Sequence, residues 1–242
     1  FFTALQGSQN YRLDDEESDV DTKSLVIPHV QDLILNKKRA STTLLVEPTI
    51  EHADVKDIRE MFDCFRKQNI NFLEILFTPY VDVNPLLVDH YNELYNHRED
   101  IAHLNMYQGL RAMVGHLMEK YHAFDHPYPS IIDKIEKYGY DGKQLSHAVR
   151  LYYLMSNWEK GMPLEECFVP NEKQREELMN FKKHLDICGN PLDKEIAIEF
   201  CDEMVRRTGE IKNRIKPGIR EKGIKVLDKV KYDVIRRAFR WK

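Results

Sequence analysis

Apolar residues in the first 88 positions fall into short runs that polar turns separate. Three of these runs, FFTAL, SLVI and TTLLVEP, are rich in β-branched or aromatic residues and predict strands. The segment from Asp57 to Gln68 predicts a helix instead, because its apolar residues recur at the spacing of one helix face: Ile58, Met61, Phe62 and Phe65. Asp57 is expected to cap this helix, with Glu60 completing a capping box. The run NFLEILF that follows fits a strand or a short buried helix, and TPYVDVNP fits a loop.

Beyond this point the pattern is almost entirely helical. Turn-forming stretches separate the periodic segments: HPYPS, KGMP, CGNP and KPG. The predicted helices are Pro85 to Arg98, Asp100 to Tyr121, Gly142 to Lys160, Asn171 to Cys188, and Pro191 to Lys216. We therefore expect an α+β protein, with a small mixed-sheet domain over residues 1–88 and an all-helical domain over residues 89–242.

Composition describes an ordinary globular chain of 242 residues, 42% apolar and 31% charged. No apolar run approaches the length that spans a membrane, so we expect no membrane partner. The four cysteines are widely spaced, which argues against a zinc site and a secreted disulfide scaffold and predicts a cytoplasmic protein. Because the chain opens at Phe1 and not at methionine, we expect residues to precede it, which leaves a targeting segment open. Nothing in the pattern predicts an oligomeric state.

The C-terminal region is strongly basic although the whole chain carries a net charge of −4. Residues 205–242 hold 14 Lys and Arg residues against 4 Asp and Glu residues. Such a region attracts polyphosphate, RNA or DNA. The alternative, which the pattern favours, is a solvated helix whose apolar face packs on the protein through Val226, Val230, Val234 and Ile235.

Two acidic residues stand at alternate positions just before the apolar run LVI. If residues 18–27 form a strand, Asp19 and Asp21 project to the same side at its exposed beginning. Paired carboxylates are suited to Mg²⁺ or Mn²⁺. Gly7 and Ser8 follow the strand-like FFTAL, where backbone N–H groups of a turn could hold a triphosphate. Each feature alone is more often a plain surface turn; together they indicate metal-assisted phosphoryl or nucleotidyl transfer.

This combination resembles the Gly-Ser-x-x-Tyr-Gly-Leu…Ser-Asp-x-Asp signature of a family of predicted nucleotidyltransferases in the DNA polymerase β-like superfamily. The matching residues are Gly7, Ser8, Tyr11, Leu13, Ser18, Asp19 and Asp21. Arg12 departs from the signature, which has glycine there. Two further stretches, residues 57–79 and YDGKQLSHAVRLYYLM, are similar to later segments of the family, so the resemblance covers about the first two-thirds of the chain in patches.

The resemblance implies a third carboxylate on a strand beside the aspartate pair. Asp54 is our choice, with Glu51 and Asp57 as alternatives, and Asp57 is better used as a helix cap. Together with Asp19 and Asp21, Asp54 would be a catalytic residue and a metal ligand at a site for two divalent ions.

The resemblance also implies a nucleotide-binding set of Gly7, Ser8, Ser18, Lys143, His147 and Arg150. The last three lie at helical spacing on one face, where they would bind phosphates across a cleft from Asp19. The alternative is a solvated stripe, and His147 could equally orient a backbone group.

The predicted activity is transfer of a nucleoside monophosphate from an NTP to a hydroxyl acceptor, with release of pyrophosphate. The acceptor could be an RNA or DNA end, a protein or a small molecule, and the residues do not choose among these or among the NTPs. Two other classes stay open: a non-catalytic nucleic-acid-binding or regulatory protein that retains the fold, and a helical interaction module in which Asp19 and Asp21 belong to a surface turn.

Overall fold

The computed structural model describes residues 1–16, 18–46, 51–122, 127 and 129–240. It confirms the α+β class: a five-stranded mixed sheet near the N-terminus is followed by helices. The strands are β1 (Phe2–Gln6), β2 (Val20–Val26), β3 (Ser41–Val46), β4 (Glu51–Asp57) and β5 (Val81–Val83). Their order in the sheet is β3-β4-β2-β1-β5, with β2 and β4 parallel and every other neighbouring pair antiparallel.

Twelve α-helices occupy much of the remainder of the described chain. They are α1 (Val30–Ile34), α2 (Ile58–Arg66), α3 (Ile70–Leu73), α4 (Val88–Asn96), α5 (Arg98–Ala102), α6 (Met106–His122), α7 (Ile132–Tyr138), α8 (Gly142–Glu159), α9 (Leu164–Phe168), α10 (Glu172–Lys182), α11 (Lys194–Arg214) and α12 (Glu221–Ala238). None of the helices in the described ranges combines the length and hydropathy needed to cross a membrane.

The chain divides into two compact units. The sheet unit comprises Phe1–Gly109 and Pro217–Lys242, and the helical unit comprises Leu110–Lys216. Residues 89–109 and 217–242, which were predicted to belong to the helical domain, thus fall in the sheet unit. Within this unit α12 packs on α2, α4 and α5. The apolar face of α12 is buried there, and a Cβ added at Gly223 would lie 2.5 Å from the Asp100 carbonyl oxygen.

Several local predictions of the sheet unit are confirmed and others are refined. The Asp57 carboxylate caps α2 by accepting the Arg59 N–H at 2.8 Å. Glu60 does not complete a capping box; its carboxylate lies 3.2 Å from Arg39. The run NFLEILF is helical, since α3 continues into a 3₁₀ turn at Glu74–Leu76. The loop TPYVDVNP contains the short strand β5, and the last residues of TTLLVEP lie outside the described residues.

Several helices begin or end at residues that differ from those predicted by the apolar spacing. The segment predicted from Asn171 to Cys188 ends at Lys182, because His184 takes a left-handed φ of 63°. The segment predicted from residue 191 begins at Lys194, and the two predicted helices over residues 85–121 become α4, α5 and α6 after a 3₁₀ turn. The short helices α1, α7 and α9 were not predicted.

One face of the sheet packs against helices and forms the core of the sheet unit. The strand residues Phe2, Ala4 and Leu25 are buried on this face. The antiparallel register pairs Phe2 with Leu25, Ala4 with Lys23 and Gln6 with Asp21, so Asp21 lies on the same face at the end of the ladder. The core therefore ends at a polar rim that carries the aspartate pair.

Candidate functional site

A tight turn connects β1 to the loop before β2. Gly7 has φ 85° and ψ −149°, and a 3₁₀ helix runs over Ser8–Tyr11. The Asn10 side chain fixes this turn, because it donates to the Leu5 carbonyl at 2.7 Å and accepts from the Thr78 hydroxyl at 2.8 Å. The turn is therefore held in place at the end of β1 by contacts to Leu5 on one side and Thr78 on the other.

Arg12 closes the turn in a left-handed conformation, with φ 56° and ψ 37°. Glycine adopts this region at no steric cost, whereas a residue with a side chain adopts it less readily. Arg12 occupies this region with some strain, and the turn forms nevertheless.

The glycine at position 7 brings backbone close to an acidic side chain. A Cβ added at Gly7 would lie 3.3 Å from the Asp21 Oδ2 atom. Its φ of 85° is also unfavourable for any residue with a side chain. Gly7 therefore permits a close approach that places the turn directly beside the Asp21 carboxylate.

Asp19 and Asp21 converge on one imidazole. The Nδ1 atom of His52 lies 3.5 Å from Asp21 Oδ1 and 4.0 Å from Asp19 Oδ2. His52 is on β4 directly opposite Asp21 in the parallel ladder. Both carboxylates stay accessible, with side chains 47% and 39% exposed. Gln9 of the turn donates to the Asp19 carbonyl at 2.7 Å, which connects Asp19 to the Gly7 turn.

Ser18 belongs to the loop that leads into β2. Its hydroxyl donates to Asp15 Oδ1 at 2.8 Å and accepts from the Asp15 N–H at 2.9 Å. The side chain thus stabilises the loop before Asp19, and its predicted contact with nucleotide stays a prediction.

Asp54 is held by two lysines rather than grouped with the aspartate pair. Its oxygens lie 3.2 Å from Lys23 Nζ and 3.2 Å from Lys56 Nζ. Lys23 is buried opposite Asp54 in the ladder, with Nζ 4.5 Å above the centre of the Phe72 ring. Burial lowers the pKa of Lys23, and the Asp54 charge opposes that shift. Asp54 is therefore the counter-ion of a buried lysine, which the sequence pattern around Asp54 alone did not reveal.

The alternatives for a third carboxylate lie elsewhere. Glu51 pairs with Val20 in the ladder and so faces the opposite side of the sheet, where the Thr22 hydroxyl donates to it at 3.4 Å. Asp57 is buried and occupied by the α2 cap and an ion pair with Arg59 at 2.6 Å. The residue beside Asp21 on β4 is His52, which we did not predict. The signal was present in the sequence, since His52 and Asp54 have the same parity along the strand.

The carboxylates of Asp19 and Asp21 suit a metal ion that takes most of its ligands from water and phosphate. Among the described residues, no group of three or more His, Cys, Asp and Glu side chains is placed to hold a metal ion. Mg²⁺, however, binds through one or two carboxylates and completes its shell with waters and phosphate oxygens. Asp19 and Asp21 fit that mode, in which the nucleotide supplies ligands, better than an all-protein cage.

The remaining predicted residues lie on α8 in the helical unit. Lys143 is exposed, and His147 and Arg150 are half-buried at the predicted spacing. Asp141 caps the helix by accepting the Lys143 N–H at 3.0 Å. The opposite face is core, with Leu145, Ala148 and Leu151 buried. The three residues therefore share a stripe, while their predicted position facing Asp19 stays a prediction.

No family model matches the chain, and no curated protein matches it. A function for this chain is therefore inferred from the geometry of its own residues.

Proposed function

We propose that the chain is a metal-dependent nucleotidyltransferase that transfers a nucleoside monophosphate from an NTP to a hydroxyl acceptor and releases pyrophosphate. The observation that carries the proposal is the convergence of Asp19 and Asp21 beside the Gly7 turn, at the exposed end of β2. Two accessible carboxylates held within 4.0 Å of one ring nitrogen repel each other unless a cation lies near them.

Asp19 and Asp21 would hold Mg²⁺ or Mn²⁺ in this activity. When bound, the ion supplies positive charge to the triphosphate and lowers the pKa of the acceptor hydroxyl. Strand β2 fixes the direction of Asp21, and the hydrogen bond from Gln9 fixes the backbone at Asp19. Little reorganisation is therefore required of the two carboxylates when substrate arrives.

His52 takes the place that we expected a third carboxylate to occupy. Its imidazole is partly exposed and directly beside both aspartates. An imidazole in this position can accept the proton of the attacking hydroxyl, since histidine is the side chain best suited to proton transfer near neutral pH. We assign the proton-accepting role to His52 and a charge-balancing role to Asp54.

The turn at Gly7 and Ser8 would admit the phosphate groups. A side chain at position 7 would crowd Asp21, so glycine keeps the space next to the carboxylate open. Lys143, His147 and Arg150 are proposed to contribute phosphate contacts from the helical unit, as guanidinium and ammonium groups do in other sites.

A transfer assay tests the proposal. Full-length protein is incubated with each labelled NTP, with Mg²⁺ or Mn²⁺, and with RNA, DNA and protein acceptors in parallel. The variant Asp19→Asn/Asp21→Asn should lose transfer, and Asp14→Asn/Glu16→Gln is the matched control, because it removes the same charge from the exposed loop that precedes β2. An unchanged transfer rate in the Asp19/Asp21 variant would refute the assignment. Absence of transfer and of Mn²⁺ binding in the wild type would instead favour the non-catalytic alternatives.

A further inference from the structure

A cavity of about 420 Å³ lies at the end of α12 in the sheet unit. It is lined by His90, Asp233, Arg236, Arg237 and Arg240. His90 belongs to α4, and the other residues belong to α12 or follow directly after it. The cavity shares no residue with the Gly7 turn, Asp19, Asp21 or His52.

Its positive charge is largely uncompensated. Arg236 pairs with Asp233 at 3.3 Å and lies 5.6 Å from the centre of the Tyr232 ring. Within the described ranges, no carboxylate lies in ion-pair distance of Arg237 or Arg240, and Asp233 is the one acidic residue of the lining. Three guanidinium groups therefore face one carboxylate.

The rest of α12 is different, because acidic residues of the sheet unit neutralise its lysines. Lys222 lies 2.7 Å from Asp100, and Lys229 lies 2.8 Å from Glu93. Lys231 lies 3.8 Å from Asp63. The basic character of α12 is thus balanced by packing along most of its length and remains available only at its end.

We propose that this cavity binds a phosphate group carrying two or more negative charges, such as a terminal phosphate or a polyphosphate. Guanidinium groups recognise phosphate with paired, charge-assisted hydrogen bonds, and three of them supply more donors than one phosphodiester uses. The cavity has the size of ordinary ligand pockets, and the His90 ring contributes a further hydrogen-bonding group from α4.

A simpler role exists for basic residues at this place. Cations in the last turn of a helix interact favourably with its C-terminal carbonyl groups, which would make Arg236 and Arg237 structural. That role predicts lower stability on substitution and no effect on ligand binding. It does not involve Arg240, which follows the helix, or His90, which lies on another helix.

The probe is inorganic triphosphate, titrated calorimetrically into the full chain with EDTA present. Omitting metal separates this cavity from the proposed catalytic site, so each proposal can fail without the other. The test variant is Arg237→Gln/Arg240→Gln. The control is Lys222→Gln/Lys225→Gln, which removes two exposed positive charges from the same helix. The single variant Arg240→Gln leaves α12 intact and guards against a folding artefact.

We expect the wild type to bind triphosphate, the test variant to bind at least tenfold more weakly, and the control to bind within twofold of the wild type. Arg240→Gln alone should weaken binding with an unchanged melting temperature. No binding by the wild type at millimolar triphosphate, or equal weakening in the test and control variants, would overturn the proposal.

A second titration identifies the source of the phosphate. It compares a short single-stranded RNA carrying a 5′-phosphate with the same RNA carrying a 5′-hydroxyl. Tighter binding of the phosphorylated RNA, lost in the Arg237/Arg240 variant, assigns the cavity to a nucleic-acid end. Triphosphate binding without that preference assigns it to a free polyphosphate.

Discussion

The replacement Asp54→Asn tests whether this residue is a counter-ion or a catalytic residue. Lys23 is 7% exposed at its side chain and Asp54 is 17% exposed, and their charged atoms are 3.2 Å apart. Removing one partner of a buried ion pair costs about 3–5 kcal/mol, because the other charge is left buried and uncompensated. Residual exposure of Asp54 places the expected loss of unfolding free energy at the lower end, about 3 kcal/mol.

The dependence of this loss on pH has a defined sign. Burial lowers the pKa of Lys23 in the folded state, so the unfolded chain holds this proton more tightly. The charged lysine therefore costs stability at neutral pH, and the cost is relieved as pH rises through the lowered pKa towards 10.5, the ordinary value. Without Asp54 the pKa of Lys23 falls further, so the stability cost of its charge begins to decrease at a lower pH.

Urea unfolding of the wild type and the variant at pH 7 and pH 9.5 measures both effects. We expect the difference in unfolding free energy between the two proteins to be smaller at pH 9.5. The double variant Lys23→Met/Asp54→Asn should recover most of the lost stability, since it removes both charges of the Lys23–Asp54 pair and leaves neither one without its partner. An unfolding free energy unchanged in Asp54→Asn, together with lost Mn²⁺ binding, would refute the counter-ion role and restore Asp54 as a metal ligand.

Three further predictions concern residues within the sheet unit or within the helical unit. Without metal, Asp19→Asn/Asp21→Asn should raise the melting temperature, because two neighbouring carboxylates no longer repel each other, and scanning calorimetry that shows a fall would contradict this. Stability should decrease as pH drops below about 6.5, since burial lowers the pKa of His184, whose neutral ring accepts the Gly142 N–H at 3.2 Å. Thermal unfolding at pH 7.5 and 5.5 measures this, and a His184→Asn variant should show a smaller drop. Leu227→Ala should cost about 2–5 kcal/mol in urea unfolding, because its side chain is fully buried in the sheet unit, whereas the exposed control Lys225→Ala should change little.

Most helices and strands could be predicted from the local spacing of apolar and capping residues, but how they pack together could not. The helix cap at Asp57 depends on residues two positions apart and was predicted correctly. The apolar face of α12 was also predicted, and Val226, Val230 and Val234 are buried while Ile235 lies at its margin. The helical spacing of apolar residues in α12 does not indicate which elements this helix packs against. Its partners α2, α4 and α5 lie more than a hundred residues earlier in the chain.

The candidate site shows the same limit. The pairing of Asp19 with Asp21 follows from the two-residue period of a strand, so the sequence sufficed to place them together. The identity of their neighbour depends on the register between β2 and β4, which no local pattern specifies. A shift of two residues in that register would place Asp54 opposite Asp21; the observed register places His52 there and Lys23 opposite Asp54. The prediction that Asp54 is the third carboxylate therefore depended on the register between β2 and β4.

The central claim is that Asp19 and Asp21 bind a divalent ion together with an NTP. Its most direct test is to measure Mn²⁺ binding by electron paramagnetic resonance, with and without an NTP, for the wild type and for Asp19→Asn/Asp21→Asn. The account predicts that the wild type binds Mn²⁺ weakly alone and more tightly with NTP, because the nucleotide supplies phosphate ligands that the protein lacks. It predicts no binding by the variant, and wild-type behaviour in Asp14→Asn/Glu16→Gln. Equal Mn²⁺ binding by the wild type and the Asp19/Asp21 variant in the presence of NTP would contradict it.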